Sequence, residues 1–261
     1  MTSSSLRRAT GWLLGAAVFV AALVMWEWWA RSHDSFLVPA ATTVLERAWH
    51  EWPTTSFLET VGSSLRRLAA GFAVGSVVGV AIGLVMGSSR AVLRTLEPFV
   101  DFLRSIPPIA IVPAAIVVLG LDDATRITVI AFGVTFPVLI HTVDGVRAVS
   151  PEARDTATML HVRPVERVYR LYLPAALPSI VAGLRIALSI GIVVLVISEL
   201  VVGGEGLGGY IRLHQTQFNV PEMYAGILFL GLLGYVLNRL FLVAERRFLA
   251  WHYGAVGASA P

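Results

Sequence analysis

The polar chemistry of this chain is concentrated in one stretch. It runs Ser150-Pro-Glu-Ala-Arg-Asp-Thr-Ala-Thr-Met-Leu-His161, then Val-Arg-Pro-Val-Glu-Arg-Val-Tyr-Arg-Leu-Tyr-Leu173-Pro174. These residue types suit docking on a partner better than catalysis. Ser150 is a good N-cap and Pro151 fits the first helical position, so a short helix is expected from there. Pro164 is placed to start a second short helix and Pro174 to stop it. The product is an arginine-rich helix-turn-helix. Enzymatic signatures are missing: the chain has no His-Glu-x-x-His, no Gly-x-Ser-x-Gly and no clustered set of acids. All 20 basic residues are arginines. A Walker A loop needs its lysine on the phosphates, so the chain cannot be its own P-loop ATPase. It is read as a non-enzyme.

The elements that position this stretch are membrane spans. The chain is 56% hydrophobic and 14% charged, with a mean hydropathy of +0.74. A soluble domain carries about 25% charge. Cysteine is absent, which excludes disulfides and thiolate metal sites. The net charge of +3 reads as helix-end topology, not as a nucleic-acid footprint. Six apolar segments, near 11–30, 66–87, 96–120, 125–145, 175–202 and 222–244, are long enough to cross a bilayer core of about 30 Å. The third is interrupted by Pro107, Pro108 and Pro113, which makes 104–113 either a pathway lining or a kinked packing helix. With the N-terminus inside, eleven arginines fall in inner segments, including Arg90, Arg147, Arg154 and Arg167, against five in outer ones. Both termini and the polar stretch are thereby placed on the cytoplasmic side of a multi-pass protein of the cell membrane. The first apolar run follows Arg7-Arg8 but lacks a small-x-small closing site, so it is read as a retained anchor and not as a signal peptide. Residues 41–52 are expected to form a short outer surface helix.

Glycine and charge add detail. Gly71, Gly75, Gly79, Gly83 and Gly87 recur at every fourth residue, giving the second span one face without side chains. Such a face lets another helix approach closely, as a sliding seam or as static packing. Gly204-Glu-Gly-Leu-Gly-Gly209 contains a G-x-G-x-x-G match. It follows a membrane helix and lacks the βαβ unit and the later acid of a dinucleotide site, so it is read as a tight outer loop. Asp101 and Arg104 are three apart and placed to pair. Arg185 and Glu199 share a helix face about 21 Å apart, too far to pair within that helix. Arg104 and Arg185 either attract an anion or bond groups on neighbouring helices. His141 is read as a packed residue.

The spacing of the polar stretch resembles the EAA loop of permease subunits of ATP-binding-cassette (ABC) importers, written E-A-A-x3-G-x9-I-x-L-P. Asp155-Thr156-Ala157 takes the EAA place, His161 the Gly place and Leu171 the Ile place, and Leu173-Pro174 closes the motif. Phe102-Leu-Arg104-Ser-Ile-Pro-Pro-Ile-Ala-Ile-Val-Pro113, Leu173-Pro-Ala-Ala-Leu-Pro-Ser-Ile180, Gly183-Leu-Arg185 and Ser198-Glu199 are similar to the permeases for aliphatic sulfonates, taurine and nitrate.

The resemblance implies an all-α polytopic fold with six transmembrane helices and a MetI-like type I importer core. It divides the chain into 1–59, an N-terminal span and outer linker; 60–250, the permease domain with its coupling loop at 145–174; and 251–261, a short tail. Implied partners are a second permease copy, two ABC ATPase subunits, an external binding protein or lipoprotein, a small-molecule substrate and the lipid bilayer, with no nucleic acid. No cofactor is expected on this chain; ATP and Mg belong to the ATPase. The coupling residues implied are Glu152, Asp155, Thr156, Ala157, Leu160, His161, Leu173 and Pro174, with Ala157 on the apolar side of the docking helix. The pathway residues are Arg104, Pro107, Pro108, Arg185 and Glu199. Asp155 is shorter than the family Glu, Thr156 replaces Ala, and His161 replaces a Gly suited to a left-handed turn. A proton-coupled secondary transporter using Asp101 and Glu199, or an intramembrane hydrolase, are the rival readings.

Overall fold

The protein was analysed as a computed structural model, which describes residues 3–33 and 35–248; the expected tail, 251–261, lies outside the described residues. Every regular element among them is helical: α1 Ser3–His33, α2 Ala41–Glu51, α3 Thr55–Ser88, α4 Arg90–Arg104, a 3-10 turn Pro108–Ile111, α5 Val112–Leu119, α6 Asp123–Arg147, α7 Pro151–Met159, α8 Pro164–Arg167, a π-turn Val168–Tyr172, α9 Leu173–Val202, α10 Leu207–Thr216 and α11 Val220–Phe248. The chain forms two compact units, Met1–Glu59 with Tyr210–Leu230, and Thr60–Gly209 with Gly231–Pro261.

In the first unit the expected surface helix appears as α2. It buries Val44 and Ala48 with Ala225, and Phe57 stands edge-on to Tyr210 and Phe229. Glu27 of α1 accepts from the backbone N–H and hydroxyl of Thr42 at 3.1 and 2.8 Å, tying α2 to the end of α1.

In the second unit the core is built on α6, whose Val129, Ile130, Val134, Val138 and Val146 have no exposed surface. Among the described residues four helical stretches are long and apolar enough to cross a membrane: Thr55–Ser88, Asp123–Arg147, Pro164–Val202 and Val220–Arg247. The third expected span is broken more sharply than a kink. Arg90–Arg104 and Pro108–Leu119 meet at 83°, because Pro107 and Pro108 supply no N–H and bar the preceding residues from helical geometry. At about 1.5 Å per residue neither piece alone crosses a 30 Å core. The expected first span, 11–30, falls in α1, where the side chains of 3–13 and 16 lie outside those described.

One expectation is corrected here: Pro174 does not end a separate short helix. The backbone is helical without a break from Pro164 to Val202. Its widening into a π-turn at Val168–Tyr172 moves the carbonyls aside where the Pro174 ring would collide with them.

The glycine row of α3 meets α6. A methyl group on Gly75 would stand 2.5 Å from the Ala131 carbonyl oxygen, on Gly79 2.7 Å from that of Thr135, on Gly83 2.6 Å from Thr142 Cβ, and on Gly87 2.7 Å from Val146 Cβ. The two backbones therefore touch along four turns, and dispersion replaces the hydrophobic drive that lipid cannot provide. Thr135 Oγ1 adds a hydrogen bond to the Gly75 carbonyl at 3.3 Å. Gly79→Leu should force the helices apart, an overpacking cost of about 1–3 kcal/mol or more. The melting temperature of the detergent-solubilised protein is expected to fall. Gly231→Ala, where nothing lies within 4 Å, should leave it unchanged; equal melting of the two variants would remove the packing role.

Candidate functional site

At one end of the second unit, α7 is fastened by Arg154. Its guanidinium donates to the carbonyls of Val146, Arg147 and Val149 at 2.9, 3.3 and 3.2 Å, capping the C-terminus of α6 where the helix dipole favours a cation. It also lies 5.7 Å from the centre of the Tyr172 ring. Ser150 caps α7 as expected, its hydroxyl accepting from the Ala153 N–H at 3.3 Å. His161 has φ +52°. Its N–H donates to the Thr158 carbonyl at 3.0 Å, and the Val162 N–H to that of Ala157 at 3.1 Å. This pair of bonds is a Schellman stop with histidine in the left-handed position usually given to glycine.

The fastening decides which face of α7 is offered outward. Ala153, Arg154 and Ala157 turn toward their own chain and are half-buried, while Glu152, Asp155 and Thr156 are exposed. Met159 and Leu160 are 77% and 71% exposed, and Val165 and Tyr169 on the following helix are also exposed. These four apolar side chains, unlike Ala157, are the uncovered ones between Ser150 and Pro174. Leu173 is half-buried and Pro174 exposed within the continuous helix.

At the opposite end of α6 and α9 stands a second constellation, centred on the fully buried Glu199. Ser64 Oγ donates to its two oxygens at 2.8 and 3.0 Å. Arg67 Nη1 reaches Oε1 at 3.0 Å, and the Gly208 N–H reaches Oε2 at 2.9 Å. Arg67 also binds Asp123 Oδ1 at 2.6 Å and the Glu205 carbonyl at 2.7 Å. Arg126 joins Asp123 to the Gly203 carbonyl, and the Leu207 N–H donates to Ser64 Oγ at 2.8 Å. The clasp ties the starts of α3 and α6 to the end of α9 and to the loop after it. The glycines of that loop follow from it: Gly203, Gly204 and Gly206 have positive φ, and a Cβ on Gly206 would collide with the Glu199 carboxylate.

The remaining pathway candidates lie apart from the clasp. Arg104 pairs with Asp101 at 2.8 Å, both half-exposed. Pro107 and Pro108 form the break. Pro108 borders an apolar cleft of about 370 Å³ with Ile109, Val112, Ser189, Val193 and Ile197. Arg185 is exposed on α9. Among the described residues no group of histidines and acids is placed to hold a metal ion.

The sequence pattern of the binding-protein-dependent transport system inner membrane components matches residues 75–249. The chain belongs to that family. A probable ABC transporter permease protein of Brucella melitensis is 30% identical over 244 residues, covering 94% of this chain and 99% of the relative. The putative aliphatic sulfonates transport permease protein of Bacillus subtilis is 33% identical over 72% of this chain and 68% of its own length. The bicarbonate transport system permease protein of Synechococcus elongatus is 29% identical over 94% of this chain and 89% of its own. A structure titled as an inward-facing conformation of the MetNI methionine ABC transporter superposes with a TM-score of 0.64 at 21% identity, over 77% of this chain and 97% of that one. That likeness gives the MetI-like helical fold. The chain is thus a permease subunit of an ABC importer, and such subunits are not themselves enzymes.

For this permease, sequence reasoning missed Ser64 and Arg67 as partners of Glu199, and Asp123 as the acid that holds Arg67 and Arg126 beside it. The available signal was the coincidence of charges at three span ends. It also missed Arg154 as the fastening of α7, since a capping arginine is indistinguishable in sequence from a topological one. Glu199→Ala should strand Arg67 and Ser64 in a buried site, a cost of about 3–5 kcal/mol. Ser64→Ala, which leaves the ion pair, should cost less. Thermal unfolding of the solubilised protein checks the order. At the other end, His161→Gly should keep the turn and the melting temperature, whereas His161→Val, β-branched at positive φ, should disturb the turn and lower the melting temperature of the solubilised protein.

Proposed function

We propose that two copies of this permease form one translocation pathway and that the Met159–Leu160 face of α7 docks on a separate ATPase subunit. ATP and Mg are bound on that partner, and Glu152, Asp155 and Thr156 supply the polar rim of the contact. In this reading the chain crosses the membrane six times with both termini in the cytoplasm, and residues 60–250 are the permease domain. An external binding protein delivers the substrate on the side of the Glu199 clasp. The observation that carries the reading is the exposure of the apolar side chains of Met159, Leu160, Val165 and Tyr169 in a stretch that also holds Arg163, Arg167 and Arg170, charges that favour a place outside the lipid. Bringing the ATPases together moves α7, and through Arg154 and the continuous helix from Pro164 it moves α6 and α9. ATP must favour one conformation by differential contact, and this surface is where such contact arises.

A small anion is the substrate class this reading favours, and it is supported by the relatives named for aliphatic sulfonates and bicarbonate. A proton-coupled mechanism through Glu199 is disfavoured, because both of its oxygens are held by protein donors inside the fold. Met159→Asp combined with Leu160→Asp should detach the ATPase or uncouple it, because a charge buried at the contact lacks a partner. Ala157→Asp strikes the half-buried side of α7 and should act by loosening the helix from its own chain. Co-purification of the ATPase, and the ratio of substrate uptake to ATP hydrolysed in proteoliposomes, measure both effects. Normal coupling in the Met159/Leu160 double variant would sink the assignment.

A further inference from the structure

The last part of α11 has one occupied face and one bare one. Gly234 faces Ile192 of α9, and Leu237 packs against the core that α6 and α9 share. On the other side Leu232, Val236, Leu240 and Val243 are exposed, and so are Arg239, Arg246 and Arg247. Their spacings of three, four and seven residues put them on one side of the helix. From Gly231 to Arg247 no residue is buried. The face is an apolar strip that ends in guanidinium groups. Arg239 stands about 10 Å from Arg246 along the axis, at 1.5 Å per residue, and so belongs to the strip and not to the helix end. Its Nε donates to the Tyr235 hydroxyl at 3.0 Å, and its guanidinium lies 5.2 Å from the centre of that ring. Among the described residues no carboxylate pairs with it. The bond to Tyr235 uses Nε and leaves both Nη groups open.

A guanidinium within a span is costly where lipid tails alone surround it, and a tyrosine hydroxyl is a neutral partner. What covers this face has to bring negative charge. A second copy does not bring it: a twofold contact sets like surfaces together, and here it would set a row of arginines against the same row. An ATPase beyond the helix end does not reach Leu232 or Val236. A phospholipid matches both parts of the surface at once. Its acyl chains lie along the apolar strip and its phosphate comes level with Arg246 and Arg247, on the leaflet where anionic lipids attract basic side chains. The long stem of Arg239 brings its open Nη groups toward the same headgroup, and the guanidinium fork suits phosphate oxygens. We propose that Arg239, Arg246 and Arg247 bind the phosphate headgroup of an anionic phospholipid of the inner leaflet, with its acyl chains along Leu232, Val236, Leu240 and Val243. The inference rests on the reading above that places the Arg246 end of α11 in the cytoplasm.

The test melts the detergent-solubilised full chain while dioleoylphosphatidylglycerol or dioleoylphosphatidylcholine is titrated in. A ligand that binds the folded form raises the melting temperature as its site fills. The phosphatidylglycerol should raise it and the phosphatidylcholine should not. Arg246→Gln combined with Arg247→Gln should increase the lipid concentration that gives half the shift at least tenfold, and Arg239→Gln should increase it as well. Arg90→Gln combined with Arg94→Gln, which removes exposed charges from α4, should leave it unchanged. If Arg239→Gln fails to fold, the Arg246/Arg247 double variant decides. Equal shifts from the two lipids, or a shift that the double variant keeps, overturn the site. The same shift from inorganic phosphate alone overturns the lipid as its source. Loss of the ATPase or of a second copy from the purified double variant, with the lipid response intact, makes the face a protein contact and overturns the proposal. The topology is tested apart from the site: Ser259→Cys, in a chain without cysteine of its own, should react with a membrane-impermeant maleimide from the cytoplasmic side alone. Labelling from the outer side overturns the topology and the inner-leaflet assignment with it; labelling from the inner side with no lipid preference overturns the site alone.

Discussion

A carboxylate without access to water dominates the arrangement of the second unit. Glu199 lies at the end of a membrane helix with no exposed surface, where an uncompensated charge would outweigh most single packing gains. Its compensation comes from three other segments: the first half of α3 through Ser64 and Arg67, the start of α6 through Asp123, which holds Arg67 in place, and the first turn of α10 through the Gly208 N–H. None of these can drift without stranding another. The G-x-G-x-x-G match there joins two helices, α9 and α10, and its glycines serve an anion of the chain itself. They let the backbone close on the chain's own carboxylate, using the same oriented N–H groups that elsewhere hold phosphate.

The two ends of this unit solve different problems. At the clasp end, polar groups are consumed within the chain. At the α7 end they are turned outward, and the fastening by Arg154 to the C-terminus of α6 gives the short helix a fixed attitude despite its nine residues. Between the two ends, α3 and α6 touch through backbone and small groups. The seam contains few interlocking side chains, so its tightness does not depend on particular rotamers.

What the sequence made legible was periodic or stereochemical. The glycine row, the Ser150 cap, the left-handed turn at His161 and the disruption at Pro107-Pro108 all follow from local rules that need no neighbour. The family resemblance was equally accessible, because its motifs are short and ordered along the chain. Relations across the fold were not accessible. Glu199 and Arg67 are separated by 132 positions, and no spacing rule joins them. Ala157 looked like the docking side of α7 because it is apolar, yet packing against its own chain uses that face and leaves Met159 and Leu160 outside. Pro174 looked like a stop because a proline usually is one; the π-turn that admits it is a property of five residues together.

That turn has a mechanical meaning. Because the backbone is helical without a break from Pro164 to Val202, the segment behaves as a single beam. Gly183, whose missing side chain lets it press on His141, is its midpoint, with 19 residues to either side. Each arm is about 28 Å long at 1.5 Å per residue. A beam pivoted at its centre neither amplifies nor diminishes: a tilt that carries the α8 end one way carries the Glu199 end an equal distance the other way. For a tilt about Gly183 the gearing between the two faces of this unit would therefore be unity, fixed by where a glycine falls in the sequence.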